Sequence, residues 1–335
     1  MTFHDIFLNQ YFIKFSPIFK EVLWGGNNIA KLGYYGCPEC GCGEMWALSN
    51  LSGKETIISN GPLTGRCLSD ILPVYKERLV GRRIYRKFGN KFPLLFKIID
   101  AKENLSIQVH PDDTLAKSRG LDNGKTEMWY ILKAEPGSKI INGFKCNVNK
   151  TDIIEILNNN NIESYLREDI PVSGDAFFIP AGTVHAIGAG VMLVEIQQSS
   201  DCTYRIYDYN RKDSNGKHRD LHINEAVEAI SCLKNCENLI RYTKDINKSF
   251  TLLNSAYFTS NILVFDKELQ RDFFKIDSFK VVICVKGNII IKCDTQSTTL
   301  KEGELVLIPA FVNRYIIIPQ FKAEILEVFI DDIKN

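Results

Sequence analysis

Four side chains that could share one divalent cation lie in three strand-like stretches of this sequence. They are Gln108 and His110 in LSIQVHPDD, Glu127 in KTEMWYIL, and His185 at the end of GDAFFIPAGTVH. Two imidazoles and a carboxylate suit zinc and iron(II) alike. A neutral amide oxygen as fourth donor, with no thiolate in the set, favours a Lewis acid over a redox centre. In the first stretch a period of two puts Ser106, Gln108 and His110 on one face and Leu105, Ile107 and Val109 on the other. In the second, Lys125 and Glu127 share a face opposite Met128, Tyr130 and Leu132, so an amine joins the polar set. A further carboxylate and guanidinium, Asp201 and Arg205, follow in QQSSDCTYRIYDYNR, where Arg205 could also be engaged in an ion pair with Asp201 or Asp208.

Short strands and tight turns must position these groups. Around His185 the order is Gly174, five residues, Pro180, one residue, Gly182, two residues, His185. Gly174 suits a turn with positive φ, Ala176 to Ile179 form a short apolar strand, Pro180 and Gly182 close a second turn, and His185 opens the next strand. Upstream, Tyr11 to Trp24 reads as an entry strand ending at Gly25-Gly26, and GEMWALSN places Glu44 and Trp46 on another strand. Leu68 to Phe88 has a helical period with a basic face, and PLLFKII after it reads as a buried strand. Asp112-Asp113 signals a helix start, Lys139 to Phe144 a strand, Thr151 to Glu168 an amphipathic helix, and a further helix begins near Asn224. Cys37, Cys40 and Cys42 share a loop, but a structural zinc site wants four ligands and no fourth lies near in sequence, so they read as ordinary loop cysteines.

From about Thr251 the pattern repeats. FKVVICVKGNIII parallels MWYILKAEPGSKII, and Gly303 to Arg314 parallels Gly174 to His185, with Phe311 in place of glycine and Arg314 in place of histidine. The repeat therefore predicts a second barrel without metal ligands over 250–335, joined through a linker at 241–249 to a metal-binding domain over 1–245.

At 335 residues with 45% hydrophobic residues the chain can fill two cores. Lys+Arg 41 against Asp+Glu 40 leaves a net charge of +1, which gives no global field for nucleic acid or an anionic membrane; any anion must be held locally. No segment approaches ~18 uninterrupted apolar residues, and the start of the sequence lacks a basic region followed by an apolar run. The expectation is a cytoplasmic protein whose 10 cysteines are reduced thiols.

The Gly174 to His185 spacing resembles the second signature of the cupins, small antiparallel jelly-roll barrels with a metal on inward-facing side chains. Ala189 stands where that signature ends in asparagine. The resemblance implies a mainly β protein, two cupin-type jelly-roll barrels with small helical insertions. LSIQVHPDD, KTEMWYIL, FFIPAGTVHAIG and SSDCTYRIYDYNR, together with WGG and GEMWALS, are in turn similar in order and spacing to the type I mannose-6-phosphate isomerases, especially the short bacterial form. Many members carry proline at the position of Thr126.

That resemblance implies one zinc ion per chain on Gln108, His110, Glu127 and His185, and interconversion of mannose 6-phosphate and fructose 6-phosphate. It makes Ser106, Lys125 and Arg205 substrate or phosphate contacts and Asp201 a catalytic-site carboxylate, with Lys125, Asp201 and Arg205 the catalytic group. Such an isomerisation removes a proton beside a carbonyl and passes through an enediol whose charge needs stabilising. Lys125 and Asp201 both remain open as the proton carrier. A sugar-phosphate sensor without turnover and a cupin-type glucose-6-phosphate isomerase are the rival expectations, and an iron dioxygenase should lack the dedicated phosphate cations. The partner in each of the first two is a small sugar phosphate.

Overall fold

The computed structural model describes residues 12–158, 161–213, 215–231, 237–294 and 296–331; Tyr11, where the entry strand is expected to begin, lies outside them. The chain divides into two compact units that interleave in sequence, one of 19–45 and 94–240, the other of 1–18, 46–93 and 241–335. One junction between the units falls at 240–241, and 46–93 groups with the C-terminal unit.

The strands that build the first barrel are β1 (Ile18–Gly26), β2 (Cys42–Leu48), β3 (Leu94–Ala101), β4 (Ile107–Val109), β5 (Glu127–Ala134), β6 (Ile140–Phe144), β7 (Leu166–Asp169), β8 (Ala176–Ile179), β9 (His185–Ile187), β10 (Val191–Gln198), β11 (Tyr204–Tyr207) and β12 (Leu239–Ile240). They form an antiparallel seven-stranded sheet in the order β12-β8-β5-β10-β3-β1-β2 and a five-stranded sheet in the order β7-β6-β9-β4-β11. Burial explains their composition. β3 and β10 are buried at every residue, and their sequences, LLFKIIDA and VMLVEIQQ, are runs of apolar residues rather than alternations.

One apolar cluster, including Leu105, Trp129, Ile131, Ile140, Phe177 and Leu193, draws on both sheets. A second one joins Ile107 and Val109 of β4 to Ile153 and Ile156 of the helix Lys150–Asn158 and to Ala226 and Ala229 of the helix Ile223–Ala229. The apolar face of β4 is therefore covered by helices, which leaves Gln108 on the opposite face. Leu105 departs from the expected alternation: the strand starts only at Ile107, and Leu105 packs with Trp129 and not with Ile107 and Val109. The helix expected over 151–168 is also shorter. It ends at Asn158, at the start of an asparagine run that competes poorly for helix, and a turn of 3₁₀ helix (Ile162–Tyr165) and β7 follow. Gly174 and Gly182 have φ of +95° and +83°, as the turn pattern requires, and at Gly182 a Cβ would stand 2.0 Å from Ser231 Oγ.

In the second unit, β13 (Lys248–Asn254), β14 (Thr259–Phe265), β16 (Lys280–Lys286), β19 (Leu305–Ile308) and β21 (Ala323–Phe329) form a five-stranded sheet in the order β13-β14-β21-β16-β19. Strands β15 (Leu269–Asp272), β17 (Asn288–Cys293), β18 (Gln296–Lys301) and β20 (Arg314–Pro319) form a four-stranded one in the order β15-β20-β17-β18. The repeat is visible in the backbone: Gly303 has φ +85°, β19 follows it as β8 follows Gly174, and Arg314 opens β20 as His185 opens β9. Buried within this barrel are Lys280, whose Nζ donates to Val312 O at 2.7 Å, and Glu327, which accepts Arg271 Nε at 2.8 Å and Tyr315 Oη at 2.6 Å. The helical stretch over 68–88 is two helices, Leu68–Val80 and Arg82–Phe88, parted at Gly81, with Pro73 and a positive φ at Lys76 kinking the first. Among the described residues no helix is long and apolar enough to cross a membrane.

Candidate metal centre

Register puts the site residues in rows. His185 on β9 stands directly opposite Gln108 on β4, and Gln108 directly opposite Arg205 on β11, so the three side chains share one face of the five-stranded sheet. His110 follows at the end of β4. Glu127 opens β5 in the other sheet, opposite Ile179 of β8 and Gln197 of β10.

These groups converge. His110 Nε2 and His185 Nε2 are 3.2 Å apart, Glu127 Oε2 is 3.6 Å from the first and Glu127 Oε1 3.4 Å from the second, and Gln108 Nε2 is 3.4 Å from His185 Nε2. His185 Nδ1 lies 2.8 Å from the carbonyl of Thr183, to which only a protonated Nδ1 can donate; its Nε2 lone pair is thereby turned toward Glu127 and His110. Trp129 meets the His185 ring edge-on at 5.4 Å between centroids and limits its rotation.

The donor set fits a cation. Glu127 is fully buried, yet neither of its carboxylate oxygens receives a hydrogen bond. The nearest positive charge, Lys125 Nζ, is 3.3 Å from Glu127 Oε2 and 2.9 Å from His110 Nε2. Burial, aided by the Lys125 charge, holds the His110 imidazole well below its ordinary range and His185 down to about 4, so both rings are neutral at physiological pH, the form that ligates a metal. Burial and the charge of Glu195 push the Glu127 carboxyl up to about 7, and a bound cation would keep it ionised. Among the described residues His110, Glu127 and His185 are the one group of three or more histidine, cysteine or acidic side chains whose donor atoms converge, all within 4.8 Å. Cys37, Cys40 and Cys42 do not converge in this way; Cys40 is exposed, and burial pushes the Cys42 thiol up to about 12.

The other predicted residues surround this group at different depths. Lys125 is buried, and so is Ser106, immediately before β4. Asp201 is exposed, and its Oδ2 lies 3.9 Å from Lys20 Nζ, which also reaches Glu44 Oε2 at 4.0 Å. Arg205 is half-buried; Nη1 donates to Asp220 O at 2.9 Å, whereas Asp208, one of its possible ion-pair partners, is held by Arg211 and Arg219. Thr126 is not a neutral replacement for proline. Its N–H donates to Gln198 Oε1 at 2.9 Å, and Gln198 Nε2 donates onward to Asp113 Oδ1 at 2.9 Å, a link that proline could not begin.

Two buried residues next to the centre escape a sequence pattern. Lys97 on β3 is directly opposite Glu195 on β10, which is opposite Trp129 on β5. Lys97 Nζ is 3.0 Å from Glu195 Oε1, and Trp129 Nε1 donates to Glu195 Oε2 at 3.1 Å. Burial alone would raise the Glu195 carboxyl, but the charges of Lys97 and Lys125 and the hydrogen bonds from Lys97 and Trp129 together outweigh it and bring the group down to about 2. Burial likewise opposes the charge on Lys97, and Glu195, with Glu44 and Asp201, holds its amine above the ordinary lysine range. The available signal is a lysine in LLFKIID, whose only other charge is Asp100, and a single glutamate in VMLVEIQQ, each set among apolar residues.

Two antiparallel barrels, one with a buried His2Glu group and the other with arginine at the matching histidine position, define a cupin protein with one candidate metal centre. Residues 12–126 match the model of the phosphomannose isomerase type I catalytic domain, and residues 248–323 that of the mannose-6-phosphate isomerase cupin domain. The chain is 38% identical to the mannose-6-phosphate isomerase ManA of Bacillus subtilis over 73% of its length and 76% of that protein's. It is 39% identical to the mannose-6-phosphate isomerase of Streptococcus mutans over 64% of its length and 66% of that protein's. The crystal structure of a mannose 6-phosphate isomerase from Bacillus subtilis, 31% identical, superposes with a TM-score of 0.85 over 95% of this chain and 99% of that one. The chain belongs to the type I phosphomannose isomerase family.

Proposed function

We propose that the protein is a zinc-dependent aldose–ketose isomerase that interconverts mannose 6-phosphate and fructose 6-phosphate through an enediol. The observation that carries it is the convergence of His110, Glu127 and His185, buried and unshared with any hydrogen-bond donor at Glu127, beside Gln108 and Lys125. The names of the relatives supply the sugar, and neutral histidines with oxygen donors supply the case for zinc.

Held by Gln108, His110, Glu127 and His185, zinc would supply Lewis-acid stabilisation of negative charge on the sugar oxygens, worth several kcal/mol. The chain's own residues do the rest. Lys125, through its buried Nζ, and Asp201, through an exposed carboxylate, are the two candidates to carry the proton between the adjacent carbons. Arg205, on the same face as Gln108, offers a planar fork for the phosphate, and Ser106 a hydroxyl donor. The Lys97–Glu195–Trp129 row fixes the charge behind Glu127, and the apolar cluster around Leu105 and Trp129 keeps water from that side.

The test is turnover of mannose 6-phosphate by the purified protein as isolated, after chelation, and after zinc is returned. Loss on chelation and recovery with zinc is expected, with glucose 6-phosphate a poor substrate. No turnover by the zinc-loaded protein would instead favour a sensor that binds sugar phosphate.

A further inference from the structure

We infer that Asp208 and Arg219 form a clamp that sets the guanidinium of Arg205 for the phosphate of the substrate, which makes Arg219 a positioning residue. The inference rests on the phosphosugar assignment above and goes beyond it in naming what holds the phosphate fork in place.

Beyond its pairing with β4, Arg205 is fastened by one returning segment. Its Nη1 donates to Asp220 O at 2.9 Å, its backbone N–H donates to His222 Nδ1 at 3.2 Å, and the His222 N–H donates back to Arg205 O at 2.8 Å. The segment is in turn anchored one residue earlier. Arg219 grips Asp208 with both arms of its fork, Nε at 2.7 Å from Oδ2 and Nη2 against Oδ1, while Arg211 Nη2 reaches Oδ1 from another direction and Arg211 Nη1 donates to Asn104 O. Asp208 is 5% exposed, so this pairing is largely out of water and rigid. A chain of contacts thus runs from Asp208 through Arg219 and the adjacent Asp220 carbonyl to Arg205.

Charge shows what the clamp is for. Arg219 and Arg211 both pair with Asp208, the Asp208 and Asp220 charges are felt by Arg205 only at longer range, and Arg205 Nε is buried with no hydrogen-bond partner. If Arg205 were only a structural residue, Asp208 would be its natural partner, as the sequence allows. Instead Asp208 is held by Arg219 and Arg211, and among the described residues the Arg205 guanidinium, in register with Gln108, has a backbone carbonyl and no carboxylate as its hydrogen-bond partner. A phosphate dianion can be the direct anionic partner that the Arg205 fork lacks, and a guanidinium already fixed loses less freedom on binding it.

The experiment uses the full-length zinc-loaded protein and measures competitive inhibition of mannose 6-phosphate turnover by inorganic phosphate, with zinc content recorded for each variant. Arg219→Ala is expected to keep one zinc and to weaken both phosphate inhibition and KM by about tenfold, with a smaller effect on kcat. Arg219→Lys, which keeps the charge and loses the two-armed grip, should fall between the two, and covers the case in which Arg219→Ala does not fold. Arg205→Ala should weaken phosphate inhibition at least as much, and the double variant Arg205→Ala/Arg219→Ala should be no worse than Arg205→Ala alone. Phosphate inhibition within about twofold of wild type in folded Arg219 variants, or full additivity in the double variant, overturns the clamp and leaves the phosphosugar assignment standing. Unchanged phosphate inhibition in Arg205→Ala would remove Arg205 from the phosphate site, and the clamp with it.

Discussion

Replacing Lys97 by Met should destabilise the protein by about 3–5 kcal/mol near pH 8, because it strands a buried charge and does more than delete a contact. Glu195 is 4% exposed, and its carboxyl lies near 2 where an ordinary one lies at 4.5, a difference that corresponds to roughly 3 kcal/mol in favour of the charged form. That stability is present above pH 4.5 and is lost as pH falls toward 2. Without Lys97 the sign reverses. Burial, the largest influence on the group, is then opposed only by Lys125 and the Trp129 hydrogen bond, the Glu195 carboxyl is expected to rise above its ordinary value, the native state binds a proton that the unfolded chain does not, and stability falls as pH rises. The cost of Lys97→Met should therefore be largest at pH 8 and shrink toward pH 5. Removing both charges should restore most of the loss: Glu195→Gln keeps an acceptor for Trp129 Nε1, so Lys97→Met/Glu195→Gln should be markedly more stable than Lys97→Met. Urea unfolding of wild type, both single variants and the double variant, at fixed zinc and at pH 5, 6.5 and 8, gives the coupling directly. A loss under about 1 kcal/mol at pH 8, a cost independent of pH, or a double variant no more stable than Lys97→Met would refute the argument.

Three further outcomes follow from the same geometry. His110→Ala should lose zinc and activity together while retaining the fold by circular dichroism, and full zinc content in the folded variant would remove His110 from the ligand set. Zinc per chain should remain at one when Cys37, Cys40 and Cys42 are all replaced by serine, since their side chains do not converge; a fall in stoichiometry would place a second ion in that loop. Burial holds the Lys280 amine down to about 7 from 10.5, so between those values the unfolded chain carries a proton that the native one does not, and stability should rise with pH. Lys280→Met should flatten that rise between pH 7.5 and 9.5 in chemical denaturation, and an unaltered slope would mean that Lys280 is charged in the native state.

What the sequence makes legible follows the logic of alternation. Gln108, His110, Glu127 and His185 are readable because polar side chains recur at strand spacing beside turns that demand glycine, and the positive φ at Gly174 and Gly182 meets that demand. The repeat was readable for the same reason, because Gly303 and Arg314 keep the spacing of Gly174 and His185. Lys97 and Glu195 were not, since each is an isolated side chain without periodicity in a strand buried on both faces, and only the pairing of β3 with β10 brings them together. Leu105 lies off the face that a period of two predicts for it, because that period cannot say where a strand begins. The grip of Arg219 on Asp208 spans 11 residues through a turn without periodicity, and nothing local in the sequence announces it.

The placement of the metal-type residues has a mechanical consequence. Gln108 and His185 belong to the five-stranded sheet, with His110 at its edge, whereas Glu127 belongs to the seven-stranded one. An ion shared among them would act as a rivet through two layers otherwise joined at this end by side-chain packing and by two backbone hydrogen bonds, Lys125 N–H to Pro111 O and Gly182 N–H to His110 O. Stripping it should let the layers breathe, so that backbone amides of His185–Ile187 and the first residues of β5 exchange with deuterium faster than those in the middle of β10.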